Sequence, residues 1–228
     1  MTTIKVPERY KRIQDNSLNY VGLMGLSVGK QDFENPAVMA SYCDFMQNNF
    51  LYGLFVIADY PKKYNVMALE GYSEKRAEER TRIAGDNRRN ALEKITRGYP
   101  LVKVARWKNF MTPSYEHNLE VLRRAYSKDN RFQASTNSFV REFLNSPANL
   151  QKLREDDREQ VSIAKEYLLD ELALLIAAPF AIHLPVCEIY PGRNELHERV
   201  QERHFSFCKD LRIKDDRVFM EVQCEPPN

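Results

Sequence analysis

A serine lies between two glycines at the end of an apolar run. The run extends from Leu18 to Leu26, and its last residues belong to the segment Gly25-Leu-Ser27-Val-Gly29. This spacing after a strand is typical of a nucleophilic hydroxyl on a sharp strand-to-helix turn. A histidine base would make Ser27 the nucleophile of a hydrolase, whereas a substrate that arrives already activated would make the protein an acyl transferase. A plain tight turn is the alternative for so short a motif.

The segment does not fit a phosphate-binding loop, and no histidine is well placed to activate the serine. A phosphate loop needs glycine at position 24, which is Met24, and Ser or Thr at position 31, which is Gln31. A hydrolase of this type needs an Asp and then a His downstream at strand ends. The four histidines are dispersed in polar or charged segments or just before a strand: His117, His183, His197 and His204.

Tyr167 and Glu171 are four residues apart and therefore share one face of a predicted helix. That helix ends in the apolar residues 172–178, so Glu171 has apolar neighbours. A buried carboxylate without a partner costs several kcal/mol, roughly, and therefore needs a proton or a cation. The amino group of a substrate is one such cation. The alternative is a solvated carboxylate beside Asp170.

A late predicted strand, residues 185–190, places a tyrosine at its carboxyl end. Side chains alternate along a strand, so Val186, Glu188 and Tyr190 share one face. Ligands bind at the carboxyl ends of strands in parallel sheets, and a phenol there can relay a proton or hold a carbonyl. The alternative is an ordinary tyrosine before the Pro191-Gly192 turn.

A basic helix is predicted over residues 73–97. Residues 75–97 contain eight Lys or Arg and four acids, a net charge of +4. At about 100° per residue, Lys75, Arg82, Arg89 and Arg97 form one stripe, which fits sequence-independent contacts with phosphates. A solvated face is the alternative. The residues predicted to dock the helix lie opposite: Ala77, Thr81, Ala84, Ala91 and Ile95.

Strands and helices alternate along the chain, which predicts an α/β fold with a mostly parallel sheet and helices on both faces. A helix is expected from the Asn35-Pro36 pair to Phe50, and several more between Pro113 and Ala178. Five strands are predicted, over residues 18–26, 54–58, 101–105, 185–190 and 218–222.

The composition is that of an ordinary globular protein. The 228 residues are 43% hydrophobic and 29% charged, without a linker-like stretch, so one domain is expected over residues 1–228. No apolar stretch reaches the length of a membrane span and no export signal is evident, which favours a cytoplasmic protein without a membrane partner. The cysteines have no metal-site spacing and predict neither zinc nor disulfides: Cys43, Cys187, Cys208 and Cys224.

Taken together, these features resemble the cyclodipeptide synthases. The motifs that carry the resemblance are Gly25-x-Ser27, Tyr167-x-x-x-Glu171 and Tyr190, with the basic helix between them, and it covers residues 23–191. The resemblance implies a Rossmann-like three-layer fold similar to the catalytic domain of class Ic aminoacyl-tRNA synthetases. It also implies two aminoacyl-tRNAs as substrates, no cofactor, no metal, and neither DNA nor an obligate second subunit.

Site roles follow from the resemblance. Ser27 would accept the first aminoacyl group, and aminoacyl-seryl and dipeptidyl-seryl intermediates would lead to a cyclic dipeptide. Tyr167 and Glu171 would hold the α-ammonium group, and Tyr190 would assist proton transfer. The residues implied for tRNA binding lie on the basic helix: Lys75, Arg76, Arg80, Arg82, Arg88 and Arg89.

The resemblance also implies a pocket for the first side chain, formed by Leu23, Gly25, Val56, Leu174 and Glu188. An acid at position 188 is unusual for an apolar pocket and predicts a polar or positively charged first residue such as histidine.

Lys30 and Pro191 stand where one branch of the family has Asn and His, so the chain resembles the Tyr-Pro branch. Two alternatives stay open: an α/β serine hydrolase acting on small esters, and a tRNA-binding module without chemistry.

Overall fold

The structure, a computed structural model, describes residues 3–28, 31–191, 194–215 and 217–225. Gly29, Lys30 and Gly192, which the sequence analysis singled out, lie outside these ranges. Within them the chain forms six strands: β1 (Thr3–Lys5), β2 (Val21–Ser27), β3 (Tyr52–Ala58), β4 (Val102–Arg106), β5 (Val186–Pro191) and β6 (Arg217–Glu225).

The strands form one sheet in the order β1-β6-β5-β2-β3-β4. The five strands β6, β5, β2, β3 and β4 are parallel to one another, whereas β1 pairs with β6 in the antiparallel direction. The chain runs outward from β2 through β3 and β4, and returns to the other side of β2 only with β5. The order therefore reverses beside β2, and in open sheets the crevice at such a reversal is where ligands bind.

Nine α-helices are present in the described ranges, and they cover both faces of the sheet. One hydrophobic cluster joins Leu23 and Val56 to the helices of residues 113–182, and a second joins Met24 and Phe55 to the helices of residues 36–49 and 74–96. The helices are α1 (Lys11–Asp15), α2 (Gln31–Glu34), α3 (Pro36–Asn49), α4 (Asp59–Glu70), α5 (Glu74–Thr96), α6 (Pro113–Lys128), α7 (Asn130–Leu144), α8 (Arg158–Ile182) and α9 (Glu195–Gln201). The predicted α/β architecture with a mostly parallel sheet is confirmed.

Short sequence signals explain where several helices begin and end. The Asn35 side chain accepts a hydrogen bond from the Ala37 backbone N–H, and Pro36 occupies the first position of α3. Directly after the last residue of α4, Gly71 ends that helix in a left-handed conformation with φ of 68°. The Asn35-Pro36 signal is the reason that the predicted start of α3 agrees with the structure, whereas α5 begins without a side-chain cap.

Helix α4 and strand β1 are among the elements that were not predicted from the sequence, as are the short helices α1 and α2. Helix α4 buries Lys63 and Asn65 together with Val66 and Ala68, so its buried face does not show an apolar period. Its lysine is neutralised by Glu74 and Glu78 of α5. Strand β1 is three residues long, and its partner lies at the opposite end of the chain. Neither element leaves a local signal.

The first predicted strand begins too early. Residues 17–19 form a 3-10 turn, in which Leu18 is 65% exposed, and β2 starts at Val21. The strand then extends through Ser27, which pairs with Ala58 of β3.

Gly85 marks a close approach between α5 and the ion pair that joins α4 to β4. A Cβ at this position would lie 2.7 Å from the Cβ of Asp59 and 2.9 Å from Nη2 of Arg106. Arg106 donates to Asp59, and both residues are buried. Only a glycine lets the helix backbone come this close, because the atoms it would displace belong to a buried, charged pair.

We expect Gly85→Ala to lower the free energy of unfolding by about 1–3 kcal/mol, because overpacking outweighs the better helix propensity of alanine. Urea denaturation followed by circular dichroism measures this change. Asn90→Ala, at an exposed position of the same helix, is the matched control and should be neutral or stabilising. A stabilising Gly85→Ala would contradict the close approach.

Candidate active site

Ser27 is the last residue of β2, at the carboxyl end of the sheet beside the strand-order reversal. It remains in the ladder with β3 and is not among the described residues that have positive φ. Ser27 thus lies at the end of the strand, directly before the turn at Val28 and ahead of α2, in agreement with the predicted strand end. The side chain is partly exposed and lies on the same face of β2 as Gly25.

Tyr167 is the direct partner of Ser27. Its phenolic oxygen is 2.5 Å from Ser27 Oγ, and helix α8 places it there from the opposite side of the crevice. Burial and the charge of Glu171 raise the pKa of Tyr167 well above its ordinary value. The phenol is therefore neutral over the ordinary pH range, and it holds the serine hydroxyl without removing its proton.

Glu171 lies one helical turn after Tyr167 on the same face of α8, as predicted from the spacing. It is 7% exposed, so the alternative of a solvated carboxylate is wrong. A Cβ added at Gly25 would be 4.0 Å from Glu171 Oε1, which places this carboxylate close to the backbone of β2. The carboxylate is thus held at the crevice, two residues along the strand from Ser27.

Tyr190 completes the cluster from β5. Burial, followed by the charge of Glu171, raises the pKa of Tyr190 above its ordinary value, and the Tyr190 phenol contributes in turn to the raised pKa of Tyr167. The structure therefore brings together all four predicted catalytic residues, Ser27, Tyr167, Glu171 and Tyr190, around one crevice. Two neutral phenols and one carboxylate lie together at this end of the sheet, and the Tyr167 phenol contacts the serine hydroxyl directly.

Glu188 has partners within the chain. The residue is 1% exposed; Oε1 is 2.8 Å from His197 Nδ1, and Oε2 accepts a hydrogen bond of 2.5 Å from Arg217. Burial alone would raise the pKa of Glu188, but the charges of His197 and Arg217 hold it below its ordinary value. The expectation that Glu188 is the partner of a substrate cation is corrected, because its charge is already neutralised.

His197 and Arg217 were missed in the sequence analysis, which placed His197 in a charged helix. The His197 ring is fully buried; its Nε2 is 3.9 Å from Glu171 Oε2 and its centroid is 5.6 Å from that of Tyr190. It thus lies between Glu188 and Glu171. A charged segment around a histidine gives no signal of this position, because the ring is buried by tertiary contacts with β5, β6 and α8.

The remaining predicted pocket residues are core residues. Leu23, Val56 and Leu174 are fully buried in the hydrophobic cluster that joins the sheet to α8. Gly25 is partly exposed, and it is the predicted pocket residue that reaches the surface of the crevice. The three apolar side chains therefore lie beneath the crevice.

The basic helix presents five of its six predicted tRNA-binding residues to solvent: Lys75, Arg76, Arg80, Arg82 and Arg89. Arg88 is the exception, because it is partly buried and donates to the backbone carbonyl of Phe33. Burial lowers the pKa of Arg88. Ala91, predicted on the docking face, is exposed, and Leu92 takes its place in the core.

Acids accompany several of these arginines. Arg89 Nε donates to Glu93 at 2.7 Å, Arg82 Nη1 lies 3.3 Å from Asp86, and Arg80 pairs with Glu70. These pairs are exposed and therefore contribute little to stability, so phosphate oxygens can replace the carboxylates at low cost.

Neither a metal centre nor a membrane span is found in the described ranges. No group of three or more His, Cys, Asp or Glu residues there is arranged to hold a metal ion. None of the described helices contains a stretch that is long and apolar enough to cross a bilayer.

Comparison with known proteins identifies the family of this chain. The family model described as cyclodipeptide synthase matches residues 20–213, which include the four residues around the crevice. The chain belongs to the cyclodipeptide synthase family. Membership implies an enzyme that uses aminoacyl groups carried by tRNA. A search of curated proteins finds no match to the sequence.

Solved structures of cyclodipeptide synthases share the fold at low sequence identity. One from Fluoribacter dumoffii is 14% identical with a TM-score of 0.82, and all of both chains is covered. One from Mycobacterium tuberculosis, described as demonstrating that cyclodipeptide synthetases are related to type I tRNA synthetases, is 15% identical with a TM-score of 0.71 over 99% of this chain and 94% of that chain.

A third structure, from Candidatus Glomeribacter gigasporarum, is described as bound to Phe-tRNAPhe. It is 16% identical, with a TM-score of 0.65 over 96% of this chain and 94% of that chain. At these identities the cyclodipeptide synthase structures support the fold of the present chain.

Replacement of Glu188 tests how much its buried contacts contribute to the stability of the protein. We expect Glu188→Leu to lower the free energy of unfolding by about 3–5 kcal/mol, because Arg217 loses its buried counter-charge and His197 loses its hydrogen-bond partner. Glu188→Gln keeps a hydrogen-bond acceptor and should cost less. Chemical denaturation of both variants gives the comparison. A Leu variant as stable as the wild type would show that the carboxylate is not required.

Proposed function

We propose that this chain joins two aminoacyl groups, each delivered by tRNA, into a cyclic dipeptide through esters of Ser27. The observation that carries the proposal is the cluster of Ser27, Tyr167, Glu171 and Tyr190 at the strand-order reversal, in a chain of this family. The residues 190 and 191 are Tyr-Pro, and we therefore propose the Tyr-Pro branch of the family.

In the first step Ser27 Oγ attacks the ester carbonyl of an aminoacyl-tRNA. A new ester bond forms at Oγ, the bond to the terminal ribose oxygen breaks, and the ribose oxygen takes up the proton that Ser27 loses. One ester replaces another, so the step is nearly balanced in energy and needs no ATP. Tyr167 orients the attacking oxygen through its 2.5 Å hydrogen bond.

Glu171 gives the aminoacyl group a fixed position. Its buried carboxylate at the crevice would accept hydrogen bonds from the α-ammonium, and the neutral phenols of Tyr167 and Tyr190 would add polar partners without competing charge. A buried carboxylate attracts a cation strongly because little water screens it. This recognition selects for the amine that every aminoacyl group carries.

Peptide formation requires the amine to lose a proton. The amine of the acyl-enzyme attacks the ester carbonyl of the second aminoacyl-tRNA, an amide bond forms, and the second tRNA leaves with the proton. If the amine of the second aminoacyl-tRNA instead attacked the seryl ester, the dipeptide would remain on tRNA and Ser27 would be released. Only attack by the amine of the acyl-enzyme therefore gives a dipeptidyl-enzyme. We assign the proton relay to Tyr190.

Ring closure then releases the product. The free amine of the dipeptide attacks the seryl ester, a second amide bond forms, and Ser27 Oγ regains its proton. Both reacting groups belong to one short chain, so the attack gains greatly from proximity. None of these steps routes a proton through a histidine, in agreement with the direct pairing of Ser27 with Tyr167.

The first side chain was expected to be polar or cationic, such as histidine, because of Glu188. The neutralisation of Glu188 by Arg217 and His197 removes the direct mechanism for that choice. Products of the Glu188→Gln variant with an unchanged pair of amino acids would agree with the structural role that we assign to Glu188.

Ser27→Ala tests the reaction itself. We expect wild-type protein in a bacterial host to release a diketopiperazine into the medium, and Ser27→Ala to release none, because the ester cannot form. Mass spectrometry of the medium detects the product and names its two amino acids. With purified protein, a radiolabelled aminoacyl group should become covalently attached to the wild type alone.

The outcomes separate this function from the alternatives. Cleavage of small esters without any cyclic dipeptide would favour a serine hydrolase. Binding of tRNA by both proteins with no product from either would favour a binding module without chemistry.

The basic helix provides a second test. We expect the double change Arg82→Gln and Arg89→Gln to raise KM for aminoacyl-tRNA with little change in kcat, and to reduce the salt dependence of tRNA binding by a slope of about 2. Steady-state kinetics and binding at several salt concentrations measure both effects.

Arg88→Gln is the contrasting variant on the same helix. Because Arg88 donates to the Phe33 carbonyl, its loss should lower the free energy of unfolding by about 1–3 kcal/mol and leave the salt dependence unchanged. Equal effects of all three arginines on tRNA binding would contradict the assigned orientations.

A further inference from the structure

A cleft opens directly after the nucleophile, between α4, α5 and the segment that leads to α8. Its volume is about 340 Å³, and it begins at Val28, the residue that follows Ser27. This volume is in the range of sites that bind small molecules, about 300–1,000 Å³. None of the steps assigned to Ser27, Tyr167, Glu171 and Tyr190 uses this cleft.

The cleft carries positive charge that the described residues do not neutralise. Lys62, Arg80 and Lys152 line it together with Glu70, and Glu70 pairs with Arg80. Neither Lys62 nor Lys152 forms an ion pair with a described residue. Burial and the nearby charge of Lys152 lower the pKa of Lys62, and the charge of Glu70 opposes the shift only in part.

Asn65 supplies an independent observation. Its side chain lines the cleft and is 5% exposed, yet its amide makes no hydrogen bond with any residue that the structure describes. None of its amide atoms is fully enclosed, so the amide is accessible to a ligand in the cleft, to which it can both donate and accept hydrogen bonds. Asn149, which also lines the cleft, does have a partner, because its side chain donates to the backbone carbonyl of Phe143 at 3.0 Å.

These features indicate an anionic ligand with an apolar part. Two lysines and an unpaired amide fit a phosphate group, because an amide N–H and ammonium groups donate to its oxygens. Val66 and Leu69 form an apolar wall in the same cleft. A nucleotide combines a phosphate with a flat base and matches both parts.

We propose that this cleft binds the terminal nucleotide of the tRNA acceptor end, with Lys62, Lys152 and Asn65 on its phosphate and Val66 and Leu69 beside its base. The proposal rests on the proposed function, because the ester attacked by Ser27 is carried by the ribose of that nucleotide. The terminal phosphate is one sugar away from the ester, and Val28 lines the cleft directly after Ser27, so a nucleotide in the cleft would bring the ester near Ser27.

Binding of an acceptor-stem minihelix that carries a non-hydrolysable aminoacyl amide tests the cleft. We expect Lys152→Gln to weaken binding about tenfold and to reduce the salt slope by about 1, as loss of one charged phosphate contact requires. Lys128→Gln, an exposed lysine of α6 that does not line the cleft, is the matched control and should change neither.

Asn65→Asp distinguishes a ligand site from a structural role. The new carboxylate has the same shape and would pair with Lys62, so we expect thermal stability to stay equal or rise while minihelix binding falls. A purely structural Asn65 would lose stability and keep its affinity. Unchanged minihelix binding and salt slope in Lys152→Gln and Asn65→Asp would overturn the proposal.

AMP and inorganic phosphate are the remaining probes. If Lys152→Gln weakens the binding of AMP or phosphate and leaves that of the minihelix unchanged, the cleft serves a free ligand and the proposal is wrong. If the wild type makes no cyclic dipeptide but its minihelix binding depends on Lys152 and not on Lys128, the proposed function fails and the cleft assignment stands.

Discussion

A carboxylate that must be neutralised within the protein holds one half of the crevice together. Glu188 of β5 is matched by Arg217 of the neighbouring strand and by His197 of α9. Removing two charges from water costs several kcal/mol, and the cost is recovered only with close geometry and further hydrogen bonds. Arg217 meets that condition by also donating to the Leu175 carbonyl of α8. Three elements are therefore fixed relative to the helix that carries Tyr167 and Glu171.

Buried cations also pair with carboxylates of other elements at α4, α5 and β4. Lys63 of α4 is buried between Glu74 and Glu78 of α5, and Arg106 of β4 joins Asp59 to Asp86. In each case a cation from one element meets carboxylates from others. The geometry is strictest where both partners are buried, as in Arg106 and Asp59, whereas the carboxylates of Glu74, Glu78 and Asp86 are largely exposed. We infer that these pairs set the distance between α4, α5 and the carboxyl ends of the strands.

Most elements were predictable because their signals are local, and the four residues around the crevice were predicted from the order and spacing of their motifs taken together. A continuous apolar run predicts a buried strand, and the spacing of Tyr167 and Glu171 places them on one helical face. The long-range pairs were not predictable, since Glu188 and Arg217 are 29 residues apart and no local pattern connects them. Helix α4 was not predicted either, because its buried lysine interrupts the apolar period that marks a helix.

The pairing of charges also changes the meaning of the basic helix. A count of Lys and Arg gave residues 75–97 a net charge of +4, but the structure divides those residues into three kinds. Arg88 is turned toward the protein, Arg80, Arg82 and Arg89 have exposed acidic partners, and Lys75 has no ion-pair partner among the described residues. Exposed pairs exchange partners easily, whereas a buried arginine does not. The electrostatic attraction for a polyanion therefore depends on which face each cation occupies and on whether an acid already accompanies it, and a net charge read from the sequence contains neither quantity.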